Sequence, residues 1–315
     1  MSGPLARPAP SPLADRAVAA VDARLAGRRV ALLVTGGIAA MKAPLLAREL
    51  RRSGADVVAF LSDEAQRYVG EDALAWACTH PVVRALSPQA EHLGDEAPFD
   101  AYLVAPATYN TLGKMAGGIA DTPLTATLAA ALGRVERGEA AVLVAPTMNG
   151  RMHTAILDAN LHRLEGLGVT VIPSKAADGK HLLPDLPVLV AHVARALARG
   201  PLAGRIVVLH GAGGVPGSAG PLGPAVHPLA LDFAHRLALS VWSAGATLRF
   251  VQDPALPPPA PPVESAAPAP GLPPPLHLCV DGEAPVALEP LLASAGPAAA
   301  LDALGARYGF APASK

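Results

Sequence analysis

Leu103-Val104-Ala105-Pro106-Ala107-Thr108-Tyr109-Asn110-Thr111 reads as a buried strand that stops at Pro106. It opens into a loop of small and hydroxyl residues ahead of a helix from Thr111. A strand, a loop and a helix in that order present free backbone N–H groups and hydroxyls at one edge of a sheet. In open α/β sheets ligands sit at that edge, beyond the carboxyl ends of the strands.

The same rhythm runs outward from this stretch. Upstream, Val30-Ala31-Leu32-Leu33-Val34 is a continuous apolar run of the kind a parallel strand buried on both faces requires. Thr35-Gly36-Gly37-Ile38 turns the chain, and Met41 to Ser53 carries helical spacing through Leu45, Leu46 and Leu50, with Pro44 fitting only a first turn. Gly54 ends that helix, Asp56 to Leu61 makes a second strand ending at Ser62, and Ala65 to Tyr68 begins another helix. Downstream, Ala140 to Ala145 is a strand closed by Pro146-Thr147-Met148-Asn149. A helix to Leu167 and a short strand, Val169 to Ile172, follow. Strands alternating with helices in short units predict an α/β fold with a doubly wound parallel sheet.

Residues 1–27 read as a flexible lead-in, 28–199 as the α/β domain, and Gly200-Pro201 as a boundary. Beyond it, residues 200–315 read as a smaller, incomplete α/β region with strands at Arg205 to Leu209 and Thr247 to Val251. A helix lies between them at Leu229 to Ala244. Pro254 to Pro275 is so dense in proline and alanine that it is expected to enter no sheet and no helix interior. A strand at Leu276 to Val280 and a helix at Ala298 to Tyr308 complete the chain. Two strands and one helix ahead of the proline tract make a thin core, so this region is half a domain or needs partners.

A formal net charge of -1 gives no footprint for nucleic acid or an anionic membrane. Charged residues interrupt every apolar stretch before it could span a bilayer, and Met1 to Ala20 lacks the apolar core of a signal peptide. The two cysteines, Cys78 and Cys279, fall in no metal-ligand spacing and exclude a disulfide scaffold. The expectation is a soluble, cytoplasmic protein that acts on a small molecule.

Three predicted strand ends converge on one edge, bringing Gly36-Gly37, Ser62 and Thr108 to Thr111 together. Glycine lets a backbone approach a phosphate, and a following helix N-terminus favours its negative charge. Gly-Gly is equally the composition of a plain tight turn. The stretch lacks GxGxxG, and no acidic residue ends the second strand where a dinucleotide ribose wants one, so a mononucleotide suits the edge better than a dinucleotide. His92 lies in an irregular stretch before the central strand, where a lone histidine is commonly structural. Asn149 is an ordinary turn residue.

Spacing changes the weight of these residues. Pro106 to Thr111 resembles the PASANT motif, and Pro146-Thr147-Met148-Asn149-Gly150-Arg151-Met152 resembles PxMNxxMW, both of the flavin-containing cysteine decarboxylases. Thr35 to Lys42 looks like that family's GSIAAYK opening, and Gly118-Ile119-Ala120-Asp121 with Thr125 and Thr127 is similar to its GIADNLLTTT segment. His92 precedes Pro106 by fourteen positions, the spacing of the family's active histidine. The resemblance covers residues 28–199. It implies FMN held by Gly36, Gly37, Ile38, Ser62, Thr108, Tyr109, Asn110 and Thr111, with Thr147 close to the flavin. It implies His92 as active-site base, Asn149 and Lys180 as substrate-binding residues, and a homotrimer or a multiple of one. The chemistry it implies is oxidation of a cysteinyl side chain to a thioaldehyde, whose sulfur accepts the electrons released when CO2 leaves. The cofactor supplies the redox step and the protein orients it.

The sequence departs from the pattern at named positions. Leu93-Gly94-Asp95 stands where Ile-x-Leu usually follows the histidine, Tyr109 stands where alanine is typical, and His153 replaces the tryptophan of PxMNxxMW. The coenzyme A-type members carry a proton-donating cysteine in a Gly-rich flap. The corresponding Pro173 to Leu182 has none, and only Gly179-Lys180 resembles the end of that flap. Decarboxylation that stops at the oxidised enethiol without the final reduction, or an FMN-binding protein that has lost the activity and has a regulatory or assembly role, are therefore the two alternatives to the complete reaction. Asn110 and Met148-Asn149 argue against a flavin prenyltransferase. Residues 200–315 resemble a degenerate form of the synthetase domain of bifunctional bacterial enzymes, without its lysine-bearing segment, and no ligase activity is expected.

Overall fold

Strands β1 (Arg29–Val34), β2 (Asp56–Leu61), β3 (Ala101–Ala107), β4 (Ala141–Pro146) and β6 (Thr170–Val171) form one sheet in the order β2-β1-β3-β4-β6. Every pairing in it is parallel, so the doubly wound α/β sheet is present. The structure is a computed structural model. It describes residues 11–94, 97–199, 206–211, 236–237, 240–252, 264–266, 277–280, 286–287 and 289–308.

Alternation along the strands sorts the side chains into two cores. Val30, Leu32, Val34, Leu103, Ala105 and Leu143 pack on one face with α1 (Ala43–Arg52), α2 (Glu71–Cys78) and α6 (Leu186–Ala196). Ala31, Leu33, Tyr102, Val104, Val142 and Val144 pack on the other with α3 (Tyr109–Gly117), α4 (Pro123–Glu136) and α5 (Ala155–Gly166). Both faces are covered, which is why these strands are apolar without interruption.

Several boundaries differ from expectation, each for a local reason. β3 does not stop at Pro106 but runs to Ala107, with a register shift between Val104 and Ala107 that accommodates the residue lacking an N–H. Helix α3 starts at Tyr109 because Thr108 caps it. Asp63–Arg67 is a short 3-10 turn capped by Ser62, so the helix expected from Ala65 to Tyr68 is only that turn, and α2 begins at Glu71. Pro44 does sit in the first turn of α1, yet Leu45 is exposed instead of joining the core.

Within the expected flexible lead-in, residues 21–27 are instead anchored. The Val21 and Leu25 N–H groups donate to the carbonyls of Arg52 and Ser53, and Leu25 is fully buried. Residues 1–10 lie outside the described residues.

A second sheet runs β11-β10-β9-β12-β13, built from β9 (Ile206–Gly211), β10 (Thr247–Gln252), β11 (Glu264–Ala266), β12 (His277–Val280) and β13 (Val286–Ala287). β11 corrects the expectation that the proline tract enters no sheet. Glu264-Ser265-Ala266 carries no proline, keeps its N–H donors and pairs parallel with β10. The rest of that tract lies outside the described residues. The helix expected at 229–244 is helical where described, at 236–237 and 240–243, and the last helix, α7 (Glu289–Tyr308), starts earlier than Ala298.

Helix α6 grips the turn after residue 243. Arg195 Nη1 donates to the carbonyls of Trp242 (2.9 Å) and Ala246 (2.5 Å), and its guanidinium lies 4.8 Å from the Trp242 ring centroid. His192 meets the same indole edge-on at 4.5 Å. Burial pushes the His192 imidazole down to about 4 from an ordinary 6.5. The protein therefore holds this ring neutral, and the stability that neutrality contributes is complete above pH 6.5. It is lost as pH falls from 6.5 toward 4, by up to about 3 kcal/mol at 1.36 kcal/mol per unit. Urea unfolding midpoints of the wild type and His192→Gln, measured from pH 7 to pH 4, are expected to converge on acidification. A constant difference across that range would refute the assignment.

Candidate functional site

A cavity of about 730 Å³ opens at the carboxyl edge of the first sheet. The order β2-β1-β3-β4 makes the chain leave β1 toward both sides, and the crevice outside that reversal is where ligands sit in such sheets. Its walls are the loops after β1 (Thr35 to Ala39), β2 (Ser62 to Glu64), β3 (Thr108 to Thr111) and β4 (Thr147 to Asn149). The segment Lys180–Leu182 adds a further wall.

Hydroxyl groups tie these loops together. Buried Thr35 donates from Oγ1 to the Pro106 carbonyl (2.6 Å) and accepts from the Thr108 N–H (3.2 Å), fixing the ends of β1 and β3 against each other. Thr108 and Ser62 use their hydroxyl oxygens to cap the turns that follow, which leaves each hydroxyl hydrogen for another acceptor. The Asn149 side-chain oxygen accepts from the Arg151 N–H at 3.0 Å, leaving its amide N–H2 as the donor end. Thr147 donates to the Ala145 carbonyl. Tyr109, the large ring in a loop of small residues, reaches across to α5, where its hydroxyl meets Thr154 at 3.2 Å.

Gly36 is where backbone approach is closest. A Cβ built there would stand 2.3 Å from the Glu64 Cβ and 3.2 Å from its carbonyl carbon, whereas one on Gly37 would meet only Thr108 Cγ2 at 3.5 Å. The first glycine is thus required by contact between the β1 and β2 loops.

The expected cofactor residues Gly36, Gly37, Ile38, Ser62, Thr108, Tyr109, Asn110, Thr111 and Thr147 all line this one cavity, as do Asn149 and Lys180. His92 does not line it. It lies half-buried in the segment between α2 and β3, with Nδ1 buried and without a hydrogen-bond partner among the described residues. Cys78 is buried on α2, and burial pushes its thiol up to about 12, so it is held as an inert thiol.

Sequence reading missed part of the wall. Lys114 lines the cavity while paired to Asp121 at 2.8 Å, and that contact holds the Asp121 carboxyl below its usual range. The larger omission is a hairpin, β7 (Lys175–Ala177) and β8 (Lys180–Leu182), which pairs through β8 with β5 (Met148–Asn149). Its turn residues Asp178 and Gly179 both have positive φ, 51° and 65°. Asp-Gly between short strands is the signal of a two-residue hairpin turn, which marks the hairpin that carries His181.

The donor set fits a flavin mononucleotide. Hydroxyls and a helix N-terminus gather at one part of the cavity, beside Gly36 and Gly37. The Flavoprotein family model matches residues 19–197. The chain belongs to the Flavoprotein family. Among curated relatives of this family member, the coenzyme A biosynthesis bifunctional protein CoaBC of Thermococcus kodakarensis is 35% identical over 195 residues, covering 60% of this chain and 47% of that protein. CoaBC of Escherichia coli K12 is 37% identical over 150 residues, 45% of this chain and 34% of that one. The matched segment thus spans less than half the length of these relatives. Solved structures of similar chains include the FMN-dependent cysteine decarboxylase SpaF, at 26% identity and a TM-score of 0.48, covering 55% of this chain and 99% of that one. The FMN-binding protein AtHal3 is 23% identical with a TM-score of 0.46, covering 53% and 94%. Among the described residues no helix is long and apolar enough to cross a membrane.

The Gly36 contact makes a direct prediction. Gly36→Ala must separate the β1 and β2 loops and is expected to cost about 1–3 kcal/mol, as overpacking does, while Gly37→Ala costs far less. Thermal midpoints of the two variants side by side check this, and equal midpoints would contradict it.

Proposed function

We propose that this protein binds FMN in the cavity at the carboxyl edge and decarboxylates a cysteinyl substrate of the phosphopantothenoylcysteine kind. The observation that carries the reading is the convergence on one cavity of four separated segments, Thr35 to Ala39, Thr108 to Thr111, Thr122 to Thr125 and Thr147 to Asn149, each resembling a motif of the flavin-containing cysteine decarboxylases. Bound FMN would supply the two-electron oxidation of the cysteinyl side chain. The chain's own residues supply the rest. Ser62, Thr108 and the Gly36-Gly37 backbone offer donors for a phosphate, and Thr147 and Tyr109 border the remainder of the cofactor. The Asn149 amide pairs the substrate carboxylate without adding charge, and Lys180, opposite Asn149 in the β5·β8 ladder, adds a cation beside it. The absence of a cysteine from Pro173 to Leu182 favours, as a second reading, turnover that ends at the oxidised enethiol.

His92 lies outside its own protomer's cavity, so its role as base requires a second copy. Ile38, which lines the cavity, and Met41 and Leu45 beyond it stand at 70%, 60% and 59% exposure, on the spacing of one helical face. We read this apolar stripe as the contact that brings one protomer's His92 to the next protomer's site, in a homotrimer or a multiple of it.

The test begins with purification in the presence of FMN and incubation with phosphopantothenoylcysteine, following CO2 release. His92→Asn is expected to retain FMN and lose turnover by at least about 100-fold, the scale of a lost acid–base group. Mixing His92→Asn with Asn149→Ala subunits is expected to restore part of the activity, because a mixed interface carries one intact pair. A protein that takes up no FMN removes the whole reading, and unchanged turnover in His92→Asn removes the base.

A further inference from the structure

The short segment that carries His92 is locked by its own side chains. Ser87-Pro88-Gln89-Ala90 places serine first and proline second, the preferences of a type I turn. The Ala90 N–H closes this turn on the Ser87 carbonyl at 3.0 Å. Ala90-Glu91-His92-Leu93 forms a second turn directly behind, closed by the Leu93 N–H on the Ala90 carbonyl at 2.8 Å. His92 thus stands at the corner of the second of two linked turns. Ala90, the residue they share, occupies the position where glycine is favoured, and its φ of 51° is a left-handed conformation that strains an alanine.

Glu91 holds that conformation in place. Its carboxylate reaches back over the first turn to Ser87, accepting from the backbone N–H at Oε2 (2.9 Å) and from the hydroxyl at Oε1 (2.5 Å). Ser87 Oγ in turn accepts from the Gln89 N–H at 3.1 Å. The Gln89 side chain lies against the same Oγ. Since the one hydroxyl hydrogen goes to the carboxylate, that amide meets Oγ through its N–H2. The hydroxyl and N–H bonds from Ser87 hold the Glu91 carboxyl below its usual range. By using both oxygens on one residue, the carboxylate fixes the start of the first turn against the second, and so the direction in which the chain leaves Ala90. This staple ties the segment to itself and joins neither apolar core.

The staple aims the ring of His92. Nδ1 is buried without a hydrogen-bond partner among the described residues, so Nε2 is the nitrogen left to meet a substrate. We propose that Ser87 and Glu91 are positioning residues for His92: their staple presets the double turn, so that one protomer presents Nε2 to the next protomer's cavity without ordering the segment at each turnover. The inference rests on the decarboxylase reading and its shared site. Preorganisation of this kind acts on rate, because a reacting group displaced by about 1 Å can lose about 100-fold. Neither Ser87 nor Glu91 touches the substrate in this arrangement, and Glu91 contributes through its two contacts.

The experiment uses the full chain, with FMN and phosphopantothenoylcysteine. Glu91→Ala is expected to keep the thermal midpoint, FMN affinity and KM and to lower kcat by at least about tenfold, as lost orientation does. Glu91→Gln is expected to return kcat to within about threefold of wild type, since an amide keeps both contacts, accepting from the N–H and donating to Oγ. Subunit mixing then places the defect. Glu91→Ala mixed with Asn149→Ala is expected to exceed the mean activity of the two parents, because one arrangement joins an intact cavity to an intact His92 segment. Glu91→Ala mixed with His92→Asn is expected to show no gain, because both lesions lie on the same segment. A residue serving its own protomer's cavity would give the reverse pattern. That reversal, a wild-type kcat in Glu91→Ala, an equal loss in Glu91→Gln, or a loss that follows a lower midpoint or weaker FMN binding overturns the inference while leaving the decarboxylase reading intact. A wild type that binds FMN and releases no CO2 removes both. An active wild type whose His92→Asn and Asn149→Ala subunits fail to complement removes the shared site, and this inference with it.

Discussion

The hydroxyl of Thr35 holds the ends of β1 and β3 together, and the site is built around that tie. β1 and β3 are neighbours in the sheet although β2 lies between them in sequence. The chain must cross over one face to reach β2 and over the other to build the β3 side. The crevice between those crossovers would be a loose gap if the two strand ends were free. Thr35, donating to Pro106 and accepting from Thr108, gives both ends a buried, satisfied partner. A buried hydroxyl left without one costs about 1–3 kcal/mol, so the tie specifies the geometry as well as contributing to stability.

From that tie the remaining loops are placed by short contacts. Gly36 brings the β1 loop against Glu64, Ser62 and Thr108 cap the turns behind them, and the Thr147 N–H donates to the Ala107 carbonyl. Each of these polar groups serves the backbone with one function and faces the cavity with another. The site is therefore preorganised by the same bonds that end the strands, which is the arrangement that lets a fold carry a cofactor without rigidifying on binding. The β7–β8 hairpin stands apart from this scheme. It is joined to the sheet edge through β5 and through the Gly150 N–H to the Gly179 carbonyl; it carries no cysteine, and His153 beside it stands where the related motif has a tryptophan.

The outer parts of the molecule show a different balance. α6 is tied to residues 240–246 by Arg195 and by the buried, neutral His192. These are polar groups withdrawn from water, each with a defined partner, and they make this contact sensitive to acid in a way the apolar cores on the two sheet faces are not.

The strand run Val30 to Val34, the loop glycines, and the spacing from His92 to Pro106 were legible along the chain because each is a local signal. Apolar runs mark strands buried on both faces, and glycine marks a close approach wherever it falls in a motif. The parallel sheet and the loops that line the cavity followed from those signals. Strand ends such as β3 running through Pro106, and three-residue β11 inside the proline tract, did not. They depend on what the neighbouring strand offers, and a register is a property of two segments. The hydrogen-bonded row Ser174–His181–His153–Asp158 lay further from reach. Its members are unremarkable in sequence, and only the pairing of β8 with β5 brings His153 Nδ1 within 2.9 Å of His181 Nε2. The position of His92 outside its own cavity is of the same kind. Sequence determined which residue types and loops are available at the sheet edge, while tertiary structure decided which of them meet, because hydrogen bonds act over a few ångströms of space regardless of distance along the chain.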